Sequence, residues 1–149
     1  MTNRHLADAI QSQIVHDLRH LQDSIWSRRW IWDRSYYESR VPPCPAILLE
    51  LLSHQNFRDM RYGLDPQFQF DASRAVYKGI LKYLSNRYEQ PYVVQPLPVK
   101  NLSVRFLRDS SAIQNKAILS WNKVLDPIEP TANPEGYILY TKVDNGGYD

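Results

Sequence analysis

The sequence predicts an α/β fold over residues 1–90 and a partial all-β segment over residues 99–149, joined by an extended linker over residues 91–98. Three observations lead there. Two long stretches repeat apolar residues at spacings of three and four, the helix period, on either side of one short apolar run of strand length. From Pro98 onward the apolar residues alternate with period two. Between these regimes QPYVVQPLPV holds three prolines, which favour extended backbone and interrupt both periods.

The first element is predicted as a helix over Asn3–Ile25. Leu6, Ile10, Ile14, Leu18, Leu21 and Ile25 stack on one of its faces, and Thr2 or Asn3 caps its start. The next stretch, WSRRWIWDRSYYESR, has strand propensity at Trp30–Trp32 and Tyr36–Glu38 without clean alternation. Ala46–Glu50 is apolar on both faces and closed by one acid, the pattern of an interior strand in a parallel sheet covered by helices. A short helix over Asn56–Tyr62 ends at Gly63. A second long helix follows over Asp71–Tyr88, with Ser73, Val76, Ile80 and Leu84 on one face and Tyr77 and Tyr83 widening the stripe.

Composition narrows the partners. The chain has 149 residues, 43% hydrophobic and 23% charged, as expected of one globular domain or parts of two. A net charge of +2, with both signs interspersed, gives no electrostatic basis for binding nucleic acid or an anionic membrane. No apolar run approaches the ~20 residues that span a bilayer. The opening Met-Thr-Asn-Arg-His is polar and turns helical at once, so no signal peptide is expected in this chain. Cys44 is the single cysteine; it has no disulfide partner and no metal-ligand spacing, and is read as a buried structural thiol.

The candidate for chemistry is Glu50. In an open α/β sheet, ligands gather at the carboxyl ends of the strands, and Glu50 directly follows Ile47-Leu48-Leu49. A carboxylate there is expected to be partly desolvated and so tuned toward proton transfer. An equally open reading makes it an acid that caps a turn or pairs with an arginine. His16 and His20, in HDLRH, have the four-residue spacing that lets two imidazoles share a metal. They face away from the apolar stripe, as does His5, and are read as solvated surface residues. In WSRRWIWDRSYYESR, aromatics among arginines suit stacking on sugar rings. The competing reading, preferred here, packs the tryptophans against a sheet and pairs the arginines with Asp33 and Glu38.

The order of these parts resembles the second half of the zinc-dependent N-acetylmuramoyl-L-alanine amidase family, whose strand reads similarly to PAVLVE and runs into a rim with a Ser-Asn pair. Pro45, Ala46, Ile47, Leu48, Leu49 and Glu50 match the strand, Asn56 the rim asparagine, and Ala75, Gly79, Ile80 and Leu84 the last helix. LADAIQSQIV at Leu6–Val15 matches the helix before the strand. The fold implied is the C-terminal half of an open-sheet, amidase-like α/β domain. The activity implied is cleavage of the amide joining N-acetylmuramic acid to L-alanine in peptidoglycan. In the family, zinc held by His, Glu and His activates a water, and Glu50 takes the role of general acid/base. The resemblance puts those ligands ahead of the first helix. Zinc therefore belongs to the complete domain, no metal is expected on this chain, and the chain is expected to be inactive alone. At Leu51-Leu52-Ser53 the family more often has a Thr-Gly-Phe-like stretch, so the rim departs from its pattern, and His54 and Asn56 are candidate substrate-rim residues.

In the last third, Leu102, Val104 and Phe106 alternate, as do Leu119 and Trp121 against Ile118 and Ser120, and later Tyr137, Leu139 and Thr141 against Ile138 and Tyr140. A Trp on one strand, a proline-rich turn and G-Y-x-L-Y on the next resemble strands A, B and C of a fibronectin type III domain, with Trp121 as the core tryptophan and Tyr137 or Tyr140 as the strand-C aromatic. Such a sandwich takes about seven strands, so an incomplete one is expected to leave strand edges open to self-association. The combination is similar to Bacteroidetes proteins labelled xanthan lyase. It implies a secreted, periplasmic or cell-surface parent whose partner is peptidoglycan or another glycan. The alternatives are a noncatalytic glycan-binding or adhesion module on an amidase-like scaffold, or part of a polysaccharide lyase.

Overall fold

The computed structural model describes residues 2–107 and 116–148, which fall in two compact units dividing between Tyr92 and Val93. The chain combines helices with a two-stranded antiparallel sheet, the helices in the first unit and the strands in the second.

The first unit is built on two long helices, α1 (Asn3–Leu21) and α4 (Pro66–Tyr88). Thr2 is the N-cap of α1, and its N–H donates to His5 Nδ1 at 3.1 Å. The helix stops short of the predicted Ile25 because the N–H groups of Gln22 and Asp23 both turn back onto the Leu18 carbonyl. Ile25 is left exposed. Helix α4 begins five residues before the predicted start. Asp65 accepts from the Gln67 N–H at 2.9 Å, and Pro66 occupies the first turn, where its missing N–H costs nothing.

The core joins Leu6, Ile10, Ile14 and Leu18 of α1 to Phe68, Ala72, Ala75 and Tyr83 of α4. The buried face of α4 is therefore not the predicted one. Ser73 is exposed and Ile80 and Leu84 are partly exposed, because the small residues Ala72, Ala75 and Gly79 let α1 approach closely and the larger residues flank that contact. A cluster of Trp26, Tyr62 and Phe68, with ring centroids 5.1–5.6 Å apart, closes one end of the pair.

Between the long helices lie α2 (Tyr37–Arg40) and α3 (Phe57–Gly63). The strand propensity of Tyr36–Glu38 gives way to a single helical turn, closed by the Arg40 and Val41 N–H groups on the Tyr36 and Tyr37 carbonyls. Ala46–Glu50, predicted as an interior strand, pairs with no strand among the described residues. A strand is held by laddered neighbours, and the first unit supplies only helices. The chain instead rests on the helical core through Ile47, Leu51 and Leu52. Cys44, predicted buried, is exposed in the bend before this segment.

The second unit contains β1 (Lys100–Leu107) and β2 (Lys116–Asn122), antiparallel with Val104 opposite Leu119 and an irregularity between Lys100 and Ser103. The predicted third strand around Tyr137–Thr141 is not formed; only an isolated bridge joins Lys142 to Tyr148. Trp121 meets Tyr137 edge-on, with centroids 5.1 Å apart. Val94, in the stretch predicted as linker, is buried, and its N–H donates to Thr131 Oγ1 at 3.2 Å.

Candidate functional site

The candidate site is the stretch from Glu50 to Asp59, and side chains bonded to backbone hold it in place. Asn56 is the N-cap of α3: its Oδ1 accepts from the N–H groups of Arg58 at 2.9 Å and Asp59 at 3.4 Å. Asp59, one turn in, reaches back so that its Oδ2 accepts from the Ser53 N–H at 2.9 Å. The Asn56 N–H donates to the Ser53 carbonyl. A loop that would otherwise have several conformations is therefore tied at both ends of the turn containing His54 and Gln55.

Glu50 stands just before this loop, exposed rather than partly desolvated. Among the described residues no ion pair or hydrogen bond engages its carboxylate, so it is neither a helix cap nor an arginine partner here. His54 is exposed in the turn. Asn56 serves the backbone of α3 through its side-chain oxygen, leaving its amide nitrogen for any rim contact. The structure thus places Glu50, His54 and Asn56 along one short tied loop.

The other histidines are engaged locally. His20 Nδ1 lies 2.7 Å from the His16 carbonyl oxygen, and the two imidazoles meet tilted by 38°, with centroids 4.6 Å apart. His16 Nδ1 lies 3.0 Å from Asp17 Oδ1. Among the described residues no group of three or more His, Cys, Asp or Glu side chains is arranged to hold a metal.

A buried polar cluster escaped the sequence reading. Lys78 Nζ lies 2.9 Å from Asp17 Oδ2, and the side chains are only 1% and 2% exposed. Gln13 Nε2 donates to Asp17 Oδ1 at 2.7 Å. Nearby, Asp71 accepts from Gln22 and Gln67. The signal was present in the sequence: Asp17 falls on the stripe of Ile10 and Ile14, and Lys78 on that of Ala75, so each helix carries one charge into the same contact. At the far end of α4, Arg87 Nη1 donates to the Tyr83 hydroxyl at 3.1 Å. That hydrogen bond and the charge interaction with Tyr83 raise the guanidinium pKa above its ordinary value, so Arg87 stays cationic.

The aromatic and arginine-rich segment divides. Trp26 packs on the core, as the preferred reading has it, though against helices and not a sheet. Trp30 and Trp32 do not pack; they are 86% and 70% exposed, and Tyr36 and Tyr37 are exposed beside them. Two of its arginines, Arg28 and Arg34, find partners other than Asp33 and Glu38. Arg28 binds Asp8, and also Ser12 Oγ at 2.9 Å and Gln11 Oε1 at 2.8 Å, strapping the segment along α1. Arg34 lies over the Trp32 ring, 5.4 Å from its centroid. No helix among the described residues is long and apolar enough to cross a membrane. No family model, curated protein or solved structure matches the chain.

Proposed function

We propose that this chain is part of an amidase-like cell-wall hydrolase acting on the N-acetylmuramoyl–L-alanine bond, with Glu50 moving protons at the scissile amide. The observation that carries this reading is the loop after Glu50. Asp59 and Asn56 fix its course while the Glu50 carboxylate remains unpaired and open to a ligand. In this reading, cleavage requires one group to accept a proton from the attacking water and return it to the leaving amine, and an uncommitted carboxylate can do both. The metal ligands the family uses are not among the described residues, so the reading assigns them to polypeptide outside this sequence and expects no turnover from this chain alone. The second unit is read as an incomplete fibronectin type III-like module, supported by the Trp121–Tyr137 contact. Peptidoglycan as substrate implies a secreted or surface location.

The test uses a protein that joins this sequence to its adjoining coding region. That region should encode the His, Glu and His ligands. Glu50→Gln should then slow stem-peptide release by about 10²- to 10⁴-fold while bound zinc stays unchanged. Retained turnover, or an adjoining region without the ligands, overturns the assignment.

One observation favours a second reading, a glycan-binding module without catalysis. Trp30 and Trp32 are largely exposed, Trp32 with Arg34 over one face of its ring, and aromatic faces stack on sugar rings. For this reading the chain itself should sediment with insoluble peptidoglycan. The double substitution Trp30→Ala, Trp32→Ala should then release it, with an unchanged far-ultraviolet circular dichroism spectrum. Equal retention of the variant rules out the aromatic platform.

A further inference from the structure

We infer that His16 and His20, near the end of α1, hold one late first-row divalent metal ion between them, with copper(II) taken most tightly. The site is separate from the zinc of the amidase reading, which that reading assigns to polypeptide outside this sequence, and it stands whether or not that reading holds.

A four-residue spacing puts any two helical histidines on one face. What the structure adds is the state of each ring. His16 Nδ1 lies 3.0 Å from Asp17 Oδ1, and His20 Nδ1 lies 2.7 Å from the His16 carbonyl oxygen. A carbonyl oxygen only accepts, and so does a carboxylate whose other oxygen faces Lys78 Nζ at 2.9 Å. Each neutral ring therefore carries its hydrogen on Nδ1 and keeps a bare lone pair on Nε2. Metal-binding histidines are oriented in this way, the far nitrogen donating to a carboxylate or a backbone carbonyl. Among the described residues no hydrogen bond engages either Nε2, and both side chains are exposed. Reading the pair as solvated surface residues rested on that exposure, which an open metal site shares.

The rings are also spaced for one ion. With a metal–nitrogen bond of about 2.0–2.1 Å, each ring centre stands about 3.2 Å from the metal, and two rings at right angles stand about 4.5 Å apart. The observed centroid separation is 4.6 Å. Two nitrogens leave the other positions to water, a set that suits copper, nickel and zinc, with affinity greatest for copper. His20 lies in the last turn of α1, where the helix dipole favours positive charge. Arg19, the cation beside it in sequence, is turned to the Trp26 carbonyl, which its Nε meets at 2.6 Å. Asp17 is buried against Lys78 and orients the His16 ring without joining the ion, so no hydrolytic chemistry is assigned to this site.

Equilibrium dialysis of the full chain, carrying no affinity tag, against copper(II) chloride at neutral pH should give one tightly held ion per chain. His16→Ala and His20→Ala should each weaken binding by more than about tenfold, whereas His5→Ala and His54→Ala should leave it unchanged. Nickel(II) and zinc(II) should bind more weakly than copper(II). Acidification should release the ion, because protons compete for Nε2. Electron paramagnetic resonance of the copper(II)-loaded chain should show two coordinating imidazole nitrogens. No binding overturns the inference, as does full affinity in the double variant His16→Ala, His20→Ala, or loss on His5→Ala or His54→Ala. Alanine is the strongest helix former, so α1 should survive both substitutions. Should either variant fail to fold, the resonance spectrum of the unsubstituted chain decides, and one imidazole nitrogen or none in it overturns the site.

Discussion

Replacing Lys78 with Met is expected to lower the stability of the first unit by about 3–5 kcal/mol, measured as a fall in its urea midpoint at unchanged slope. The substitution keeps the length and apolar stem of the side chain but removes the cation that faces Asp17 at 2.9 Å. The carboxylate left behind is 2% exposed and cannot recover water without opening the α1–α4 contact. It retains Gln13 Nε2 at 2.7 Å and His16 Nδ1 at 3.0 Å, which favours the lower end of the range. Even so, a domain of this size should lose roughly 4–8 °C in Tm for each kcal/mol. The double variant Asp17→Leu, Lys78→Met separates the cost of an orphaned charge from that of lost packing. Removing both charges in favour of apolar side chains should recover most of the loss, short of the about 1–3 kcal/mol that the Gln13 amide costs once Asp17 no longer accepts from it. A double variant no better than Lys78→Met would show that the pair acts through its shape and not its charge.

How far the sequence discloses this fold depends on whether a signal is local. The helix period of Leu6, Ile10, Ile14 and Leu18 needs no partner to be recognised, and those four residues are the α1 side of the core. The start of α4 was also written locally, as Asp65 capping and Pro66 in the first turn, and reading only the apolar stripe missed it. Which stripe of α4 is buried is a different matter. Val76, Ile80 and Leu84 are the more apolar set, but Ala72, Ala75 and Gly79 win because a close helix crossing depends on the partner's surface, which one helix's sequence does not contain. The strand reading of Ala46–Glu50 has the same weakness: apolar character on both faces specifies burial, while a ladder requires a neighbouring strand. At the candidate site, Glu50, His54 and Asn56 were legible as residue types in order. The bond from the Ser53 N–H to Asp59, which orders the loop, depends on α3 turning back over it and was not.

Gly79→Val is expected to be the most damaging single substitution at the helix crossing, for a reason that no compensating truncation removes. A Cβ built on Gly79 lies 2.5 Å from Ile10 Cα and 3.1 Å from both Ile10 N and Ile10 Cγ1. The nearest atom is backbone, so the clash cannot be relieved by a rotamer change. Helix α1 must instead move away along its length, loosening the contacts of Ile14 and Leu18 and the Asp17–Lys78 pair together. Even Gly79→Ala, which gains about 1 kcal/mol of helix propensity, should lose more than that through overpacking that typically costs about 1–3 kcal/mol. Valine adds two further methyl groups and restricted χ1 freedom, so it should exceed the alanine variant and bring the first unit near the limit of its stability. Denaturant titration of Gly79→Ala, Gly79→Val and the double variant Ile10→Ala, Gly79→Ala checks the mechanism. If the backbone contact governs, trimming Ile10 leaves the closest atom in place and adds a cavity, and the double variant should be less stable than Gly79→Ala. Recovery in the double variant would instead assign the clash to the Ile10 side chain and imply that a Cβ at position 79 clears Ile10 Cα by more than 2.5 Å.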